Sequence, residues 1–349
     1  MSPTPTLNGP KTAALRRLDR KLRHILAGED TRDDFILADA KDPDMAFGVT
    51  APGPRPGADV SAGRARPHQY KTRRDFLLDI RTLVDADLLD IVLTSASNGQ
   101  ILAREEALGD EVTLAIRAND TTDIWNARGG SYPTHKSRPF RTADLESIRP
   151  FCDLVLYSMT FNNDLDHDVA SLEAYAAFRR EASALGIRHF LEVFNPNAPV
   201  GLAPEQVGAF VNDSIVRCLA GVTSEQRPSF LKMAYNGSDA VAELVEHDPS
   251  LVVGILGGSA GTTRDTFELL ARGQAAGARV ALFGRKIQRA ESQLDLVRLM
   301  RAVLAGDQSP ESAVHSYHAV LAEKGIAPQR DIDADLAVTD PALADPVMD

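Results

Sequence analysis

Eight short apolar runs recur along the chain, and helical patterns separate most of them. The runs are FILAD (35–39), LLDIVLT (88–94), VTLAIRA (112–118), CDLVLYS (152–158), IRHFLEVF (187–194), SFLKMAY (229–235), LVVGIL (251–256) and RVALFG (279–284). Each is bounded by turn residues, which is typical of a buried strand. Strands that alternate with helices pair in parallel through right-handed crossovers, and eight such units close a barrel. The sequence therefore predicts an α/β fold, a (β/α)8 TIM barrel over residues 31–328.

An open, doubly wound sheet is the alternative fold. That sheet requires a glycine fingerprint after the first strand, and the segment FILADAKDPDMAFG (35–48) has none. A hydrophobic content of 44% in 349 residues is enough for one large core. We therefore favour the closed barrel.

Three segments lie outside or interrupt the repeating pattern. Residues 12–27 place Leu15, Leu18, Leu22, Ile25 and Leu26 at helical spacing. They predict an N-terminal helical extension within 1–30, with its basic face in solvent. The Pro- and Gly-rich stretch 49–67 predicts a long loop. The acidic stretch 329–349 predicts a disordered tail.

Composition excludes several classes of partner. The chain has 38 Lys and Arg against 49 Asp and Glu, a net charge of −11, which argues against nucleic acid as the main partner. No apolar run reaches the roughly 18 residues that a membrane span needs. The first residues lack the apolar centre of a signal peptide. We expect a cytoplasmic protein, and a homo-oligomer remains open.

Metal and disulfide chemistry have no signature in the sequence. Cys152 and Cys218 form no close pair, and the eight histidines are scattered without an HxH or HExxH pattern. We therefore expect no metal and no cofactor.

Lys232 stands in the middle of an apolar run, PSFLKMAYNG. Alternation along a strand places it on the same face as Phe230 and Ala234. If that face points into the barrel, burial disfavours the charged form of the amine. A neutral amine can attack a carbonyl and form a Schiff base. The alternative is a lysine at a strand edge that reaches solvent.

Glu192 lies one predicted strand before Lys232, with the same parity as Phe190 and Phe194. A carboxylate among phenylalanines needs a cationic or hydrogen-bonded partner. Lys232 on the adjacent strand is the candidate. Glu192 is thus either a group that transfers protons or half of a structural ion pair.

Asp39, Arg117 and Tyr157 lie at the ends of three other predicted strands. Asp39 suits proton transfer, although an Asp there also serves as a helix cap. Arg117 is placed to hold a substrate anion or to pair with Asp39 or Glu192. Tyr157 is either a proton donor or an ordinary barrel tyrosine.

Two glycine-containing loops follow the seventh and eighth runs, GILGGSAGTTRD and FGRKIQ. Glycines let a backbone approach a ligand closely, and these loop positions are a recurrent phosphate site of TIM barrels. The predicted phosphate ligands are Gly257, Gly258, Ser259, Gly261, Gly284 and Arg285.

The order of these features resembles a known family. The chain resembles the class I aldolases of the deoxyribose-phosphate, tagatose-bisphosphate and archaeal-type fructose-bisphosphate group. Four features carry the resemblance: an acid on strand one (LADAKDPDMAFG), a lysine on strand six (FLKMAYNG), a glycine loop after strand seven (GGSAGTT) and Gly-Arg after strand eight (FGRKI). The resemblance covers about residues 33–305. The glutamate of HFLEVFNP resembles that of the tagatose-bisphosphate branch.

The resemblance implies a Schiff-base nucleophile at Lys232 and proton transfer by Asp39 and Glu192. It also implies a phosphorylated small-molecule substrate held by Gly257, Gly258, Ser259, Gly284 and Arg285. The continuation AKDPDMAFG and the insert after strand one depart from the better-known members, and they offer Lys41 or Arg64 as further site residues.

We interpret the sequence as a metal-independent class I aldolase acting on a phosphorylated ketose or related compound. Two other classes stay open. A transaldolase-like enzyme or a carbon–carbon bond-forming synthase would use the same lysine. A non-catalytic barrel would only bind a phosphorylated ligand.

Overall fold

A computed structural model describes residues 15–55, 69–258 and 261–344. Eight parallel strands form a closed barrel. They are β1 (Ile36–Lys41), β2 (Ile91–Thr94), β3 (Thr113–Arg117), β4 (Leu154–Thr160), β5 (Arg188–Phe194), β6 (Leu231–Met233), β7 (Gly254–Leu256) and β8 (Val280–Phe283). Each predicted run overlaps one of these strands, so the (β/α)8 prediction is confirmed.

The barrel closes where β1 pairs with β8, from Ile36 opposite Val280 to Asp39 opposite Phe283. Consecutive strands are neighbours everywhere else. The segment between β3 and β4 contains a two-stranded antiparallel sheet, Asp120–Thr121 with Pro139–Phe140. The register therefore brings the carboxyl ends of all eight strands to one rim.

The described part of the chain contains thirteen α-helices. They are α1 (Arg17–Ala27), α2 (Asp44–Phe47), α3 (Arg73–Asp85), α4 (Ala96–Arg104), α5 (Leu145–Ile148), α6 (Leu165–Ala184), α7 (Val207–Leu219), α8 (Ser238–His247), α9 (Thr263–Ala275), α10 (Arg285–Gln288), α11 (Gln293–Ala305), α12 (Pro310–Glu323) and α13 (Ile332–Leu336). None of these helices is both long and apolar enough to cross a bilayer.

Each strand buries both of its faces, in two separate hydrophobic clusters. The inner cluster fills the barrel with side chains such as Ile36, Leu156 and Phe230. The outer cluster lies between the strands and the surrounding helices, and it contains Leu37 and Tyr157. Alternation therefore decides whether a strand residue faces the interior or the helices.

Helix α1 covers the amino-terminal end of the barrel. Leu18 and Leu22 pack into the inner cluster, as predicted, whereas Leu15 and Leu26 are exposed. The prediction of a solvated basic face was partly wrong. Lys21 is buried and lies 3.1 Å from the carboxylate of the fully buried Asp90, which also binds two arginines.

Tyr157 faces outward from β4 and does not reach the barrel interior. It packs on Tyr175 and Phe178 of α6, with ring centroids 5.0 and 4.5 Å away. Nearby, the hydroxyl of Tyr175 lies 2.9 Å from Nε2 of His189. Burial raises the pKa of Tyr157 above its ordinary value. Tyr157 is thus a packing residue, and its prediction as a proton donor was wrong.

The C-terminal stretch also differs from the prediction. Residues 329–344 contain α13 and a short 3-10 helix, Pro341–Leu343, instead of a disordered tail. Asp335 accepts a hydrogen bond from the backbone of Thr263, and Asp265 accepts from Thr339. The predicted loop 49–67 is described only to residue 55.

We expect His189 to make stability depend on pH. Burial lowers its pKa from 6.5 to about 4. Between these two pH values the proton binds to the unfolded chain but not to the folded protein. Acidification from pH 6.5 to 4 therefore lowers the free energy of unfolding by about 3 kcal/mol. His189→Gln removes this component, which urea unfolding at several pH values measures. The exposed His247→Gln should keep the parent's dependence; equal slopes for parent and His189→Gln would contradict the assignment.

Candidate active site

A pocket of about 240 Å³ opens at the carboxyl end of the barrel. Its floor is polar and charged, and its sides are formed by the loops that follow β1, β3, β7 and β8. The residues lining it include Asp42, Phe47, Arg117, Asp123, Ile124, Asn126, Glu192, Phe194, Lys232, Gly257, Gly258, Gly284 and Arg285.

Lys232 points into this pocket from the middle of β6. Its side chain is 6% exposed, which excludes the strand-edge alternative. Its Nζ lies 2.5 Å from Oε1 of Glu192, and the two residues are register partners on β5 and β6. Phe190 of β5 and Phe230, which immediately precedes β6, each lie two residues earlier in the chain, and their rings stack with centroids 4.5 Å apart. The amine therefore stands on an apolar layer beside one carboxylate.

Arg117 binds the acidic residues of the pocket to one another. Its Nη2 donates to Glu192 at 3.0 Å, and its Nε donates to Asp42. Its Nη1 donates to Oγ of Ser158 at 2.8 Å, and the same hydroxyl donates to Glu192 at 2.6 Å. Of the two partners that the sequence suggested for Arg117, the structure selects Glu192 and replaces Asp39 by Asp42.

The charges of this cluster are set by burial and by their neighbours. Burial raises the pKa of Asp42, but Arg117 and then Lys232 oppose this, and the net pKa lies below the ordinary value. For Arg117, burial lowers the pKa, yet the carboxylates of Asp42 and Glu192 bring it above its ordinary value. Asp42 is therefore ionised, and Arg117 stays a cation.

Asp39 does not enter the pocket, contrary to the prediction. It lies on the outward face of β1, fully buried, with Oδ2 3.5 Å from Nζ of Lys41. Lys41 in turn donates to Gln288 and Gln293 at 2.7 Å each. Lys41 therefore ties β1 to the helices outside the barrel, with Asp39 as its counter-ion, and Lys41 is not a pocket residue either. Arg64 lies outside the described residues.

The predicted phosphate loops meet at one side of the pocket. Gly257, Gly258, Gly284 and Arg285 line it. Gly258 has a φ of +62°, and a Cβ at Gly284 would lie 2.8 Å from the carbonyl oxygen of Ala40. Both positions therefore require glycine. Gly261, in contrast, lines a neighbouring cavity, and Ser259 lies outside the described residues.

Arg285 reaches the pocket without a protein partner. In the parts of the chain that the structure describes, no side chain forms an ion pair or hydrogen bond with its guanidinium. Burial, together with the nearby charge of Arg289, lowers its pKa. A cation held in a pocket with no carboxylate attached is placed to bind an anion.

Sequence reasoning missed three polar residues of this site. Ser158 is the register partner of Glu192 on β4. Asp42 follows β1 and has the parity of the inward-facing Ala38 and Ala40. Asp123 accepts hydrogen bonds from the hydroxyls of Ser137 and Thr160. Asp42 and Ser158 share the parity of the inner apolar residues, but the sequence does not reveal which parity faces inward, and Asp123 comes from an irregular loop.

The fold and this pocket define a (β/α)8 barrel with a lysine-bearing site at the carboxyl end of its strands. No protein-family model and no curated protein matches the sequence. Within the described residues, no group of His, Cys, Asp and Glu side chains is arranged to hold a metal ion.

Solved structures do match. An archaeal fructose 1,6-bisphosphate aldolase is 17% identical, with 83% of this chain and 99% of that chain covered and a TM-score of 0.57. A Schiff-base-forming fructose-1,6-bisphosphate aldolase is 17% identical over 82% and 99%, with a TM-score of 0.56. The protein Cgl0159 of Corynebacterium glutamicum is 18% identical over 83% and 98%, also at 0.56. The resemblance to class I aldolase barrels is thereby confirmed for the fold.

We predict that Arg117→Met strongly destabilises the protein. The variant leaves three buried carboxylates beside one lysine, and breaking a buried pair costs about 3–5 kcal/mol. Arg20→Met is the control, because Arg20 pairs with Glu111 at the surface and exposed pairs contribute below about 1 kcal/mol. Urea denaturation compares the two. Equal losses would show that Arg117 does not organise the cluster.

Proposed function

We propose that the protein is a class I aldolase that forms a Schiff base with a phosphorylated ketose or related carbonyl compound. The observation that carries the proposal is the contact of 2.5 Å between the buried amine of Lys232 and Glu192, inside a pocket that also contains the unpaired Arg285. A carboxylate at this distance is a base for the amine, and an unpaired arginine is a ligand for the phosphate.

The first step is attack by the amine. Glu192 takes a proton from the ammonium of Lys232, and the freed lone pair adds to the substrate carbonyl. A proton then passes from the nitrogen to the new alkoxide oxygen, which gives a neutral carbinolamine. The protonated Glu192 then returns the proton to the carbinolamine hydroxyl, which leaves as water. Ser158 and Arg117 hold the other carboxylate oxygen, so Oε1 stays directed at Nζ throughout.

The second step is cleavage of the carbon–carbon bond. The iminium withdraws the bond's electron pair and becomes an enamine, while a base removes the proton of the hydroxyl on the departing carbon. Asp42 is our candidate for that base, because it lines the pocket and Arg117 keeps it ionised. It replaces Asp39 as the second proton-transfer residue beside Glu192. Protonation of the enamine and hydrolysis then release the second product.

We predict that Lys232 is the residue trapped by borohydride. Hydride reduces an iminium to a stable amine, so dihydroxyacetone phosphate and borohydride should add the mass of a reduced adduct to the peptide containing Lys232. Lys232→Ala should lose the adduct and all turnover. Lys21 is an internal control, because its pKa is lowered to about 8 but it lies at the opposite end of the barrel. An unmodified Lys232 would leave only a binding barrel.

Product analysis separates the remaining alternatives that use the same lysine. A transaldolase-like enzyme or a synthase also forms the adduct, but analysis of the products with several acceptor aldehydes distinguishes transfer from simple cleavage.

Glu192→Gln should slow trapping by about 10²–10⁴-fold, which is the usual contribution of a positioned acid or base.

We further predict that Arg285→Gln raises the KM for a phosphorylated substrate about 10- to 100-fold and changes kcat little. A hydrogen bond to a charged group contributes about 1.5–3 kcal/mol, and this contact is remote from the reacting carbonyl. Arg289→Gln is the matched control, because Arg289 lines the neighbouring cavity instead. A fall in kcat at unchanged KM would contradict a phosphate-binding role for Arg285.

A further inference from the structure

The buried cluster around Arg117 contains more acids than bases. Asp42, Asp120 and Glu192 are its carboxylates, and Arg117 and Lys232 are its cations, with no side chain more than a tenth exposed. If all five groups were ionised, this hydrogen-bonded set would carry one excess negative charge. Arg285 lies in the same pocket and its charge acts on Glu192, but it forms no ion pair with the described carboxylates of the set. A buried excess charge is costly, and proteins relieve it by binding a proton.

The hydrogen bonds show where that proton belongs. Glu192 forms an ion pair with Lys232 and accepts hydrogen bonds from Arg117 and Ser158. Asp42 accepts a hydrogen bond from Nε of Arg117. Asp120, in contrast, uses only Oδ1, which accepts from the backbone of Thr121 at 2.8 Å and lies 3.5 Å from Arg117. Its Oδ2 is buried with no hydrogen-bond partner.

We propose that Asp120 carries a proton in the resting protein and acts, through Arg117, as a positioning residue for the Lys232–Glu192 pair. The proton on Oδ2 removes the excess negative charge of the five hydrogen-bonded groups. Asp120 does not line the pocket and touches no substrate. This inference rests on the proposed function for its catalytic consequence but not for the protonation itself.

The surroundings of Asp120 agree with this assignment. Arg117 faces it from the end of β3, Asp42 from the end of β1 and Glu192 from β5. Burial raises the pKa of Asp120 to about 7; Arg117 opposes the rise, and Asp42 and Glu192 add to it. Of its three charged neighbours, two therefore favour the neutral acid.

Ionisation of Asp120 has a defined effect on the pair. The new charge repels the negative charge on Glu192 and also attracts the positive charge on Lys232. Because Glu192 is among the largest electrostatic influences on Asp120 and Lys232 is not, we expect the repulsion to prevail and to favour the arrangement in which Glu192 has taken the proton of Lys232. The amine is then neutral and ready to attack. We therefore expect the rate of Schiff-base formation to rise as the pH passes through about 7.

The test of protonation is infrared spectroscopy on the whole protein with ¹³C-labelled aspartate carboxyls. The parent should show an Asp carbonyl band that disappears with a midpoint near pH 7. Asp120→Asn should lack this step. Asp39→Asn is the matched control, because Asp39 is a buried aspartate outside the pocket whose pKa is raised to about 6. It should remove only the step near pH 6.

Persistence of the step near pH 7 in Asp120→Asn would overturn the proposal. If Asp120→Asn does not fold, the infrared titration of Asp39→Asn is the test. If that protein shows no loss of an Asp carbonyl band above pH 6, the proposal is overturned as well. Neither measurement requires substrate, so a failed aldolase assay leaves the result intact.

The test of the catalytic role uses dihydroxyacetone phosphate and cyanoborohydride, with the adduct on Lys232 followed by mass spectrometry from pH 6 to 8. The parent and Asp39→Asn should gain roughly tenfold in rate across this range, which is the size of effect that coupling between neighbouring ionisable groups produces. Asp120→Asn should be flat. A parallel rise in Asp120→Asn would overturn the positioning role, whereas no adduct in any protein would reject the proposed function instead.

Discussion

The guanidinium of Arg117 is the group on which the pocket depends. It contacts Asp42, Asp120, Glu192 and Ser158 from the end of one strand, and so it allows several acids to lie side by side in the barrel. Without that cation the acids would repel one another and take up protons. Burying these ions costs stability, and breaking the contacts would cost more. The contacts of Arg117 therefore hold the acids at defined positions in the pocket.

The fold was largely predictable from the sequence, and so was half of the site. Eight apolar runs are enough to identify a closed barrel, and the position of Lys232 between apolar neighbours marks it as unusual. The glycines at 257, 258 and 284 were also found, because close contacts at 257 and 284 and a positive φ at 258 select for glycine. These signals depend on local sequence alone.

The errors at Asp39 and Tyr157 have one physical cause. A strand of a parallel barrel is apolar on both faces, so its sequence contains no alternation that tells inside from outside. Ile36, Leu37 and Ala38 are all fully buried, and nothing in them indicates that Asp39 faces the helices. The inner face becomes visible only through register, which places Ser158, Glu192 and Lys232 side by side on three strands.

The leucines of α1 have a consequence for how molecules reach the site. Because Leu18 and Leu22 pack into the inner apolar cluster, α1 closes the amino-terminal end of the barrel. A molecule that binds beside Lys232 therefore approaches it from the carboxyl-terminal rim, where the pocket opens.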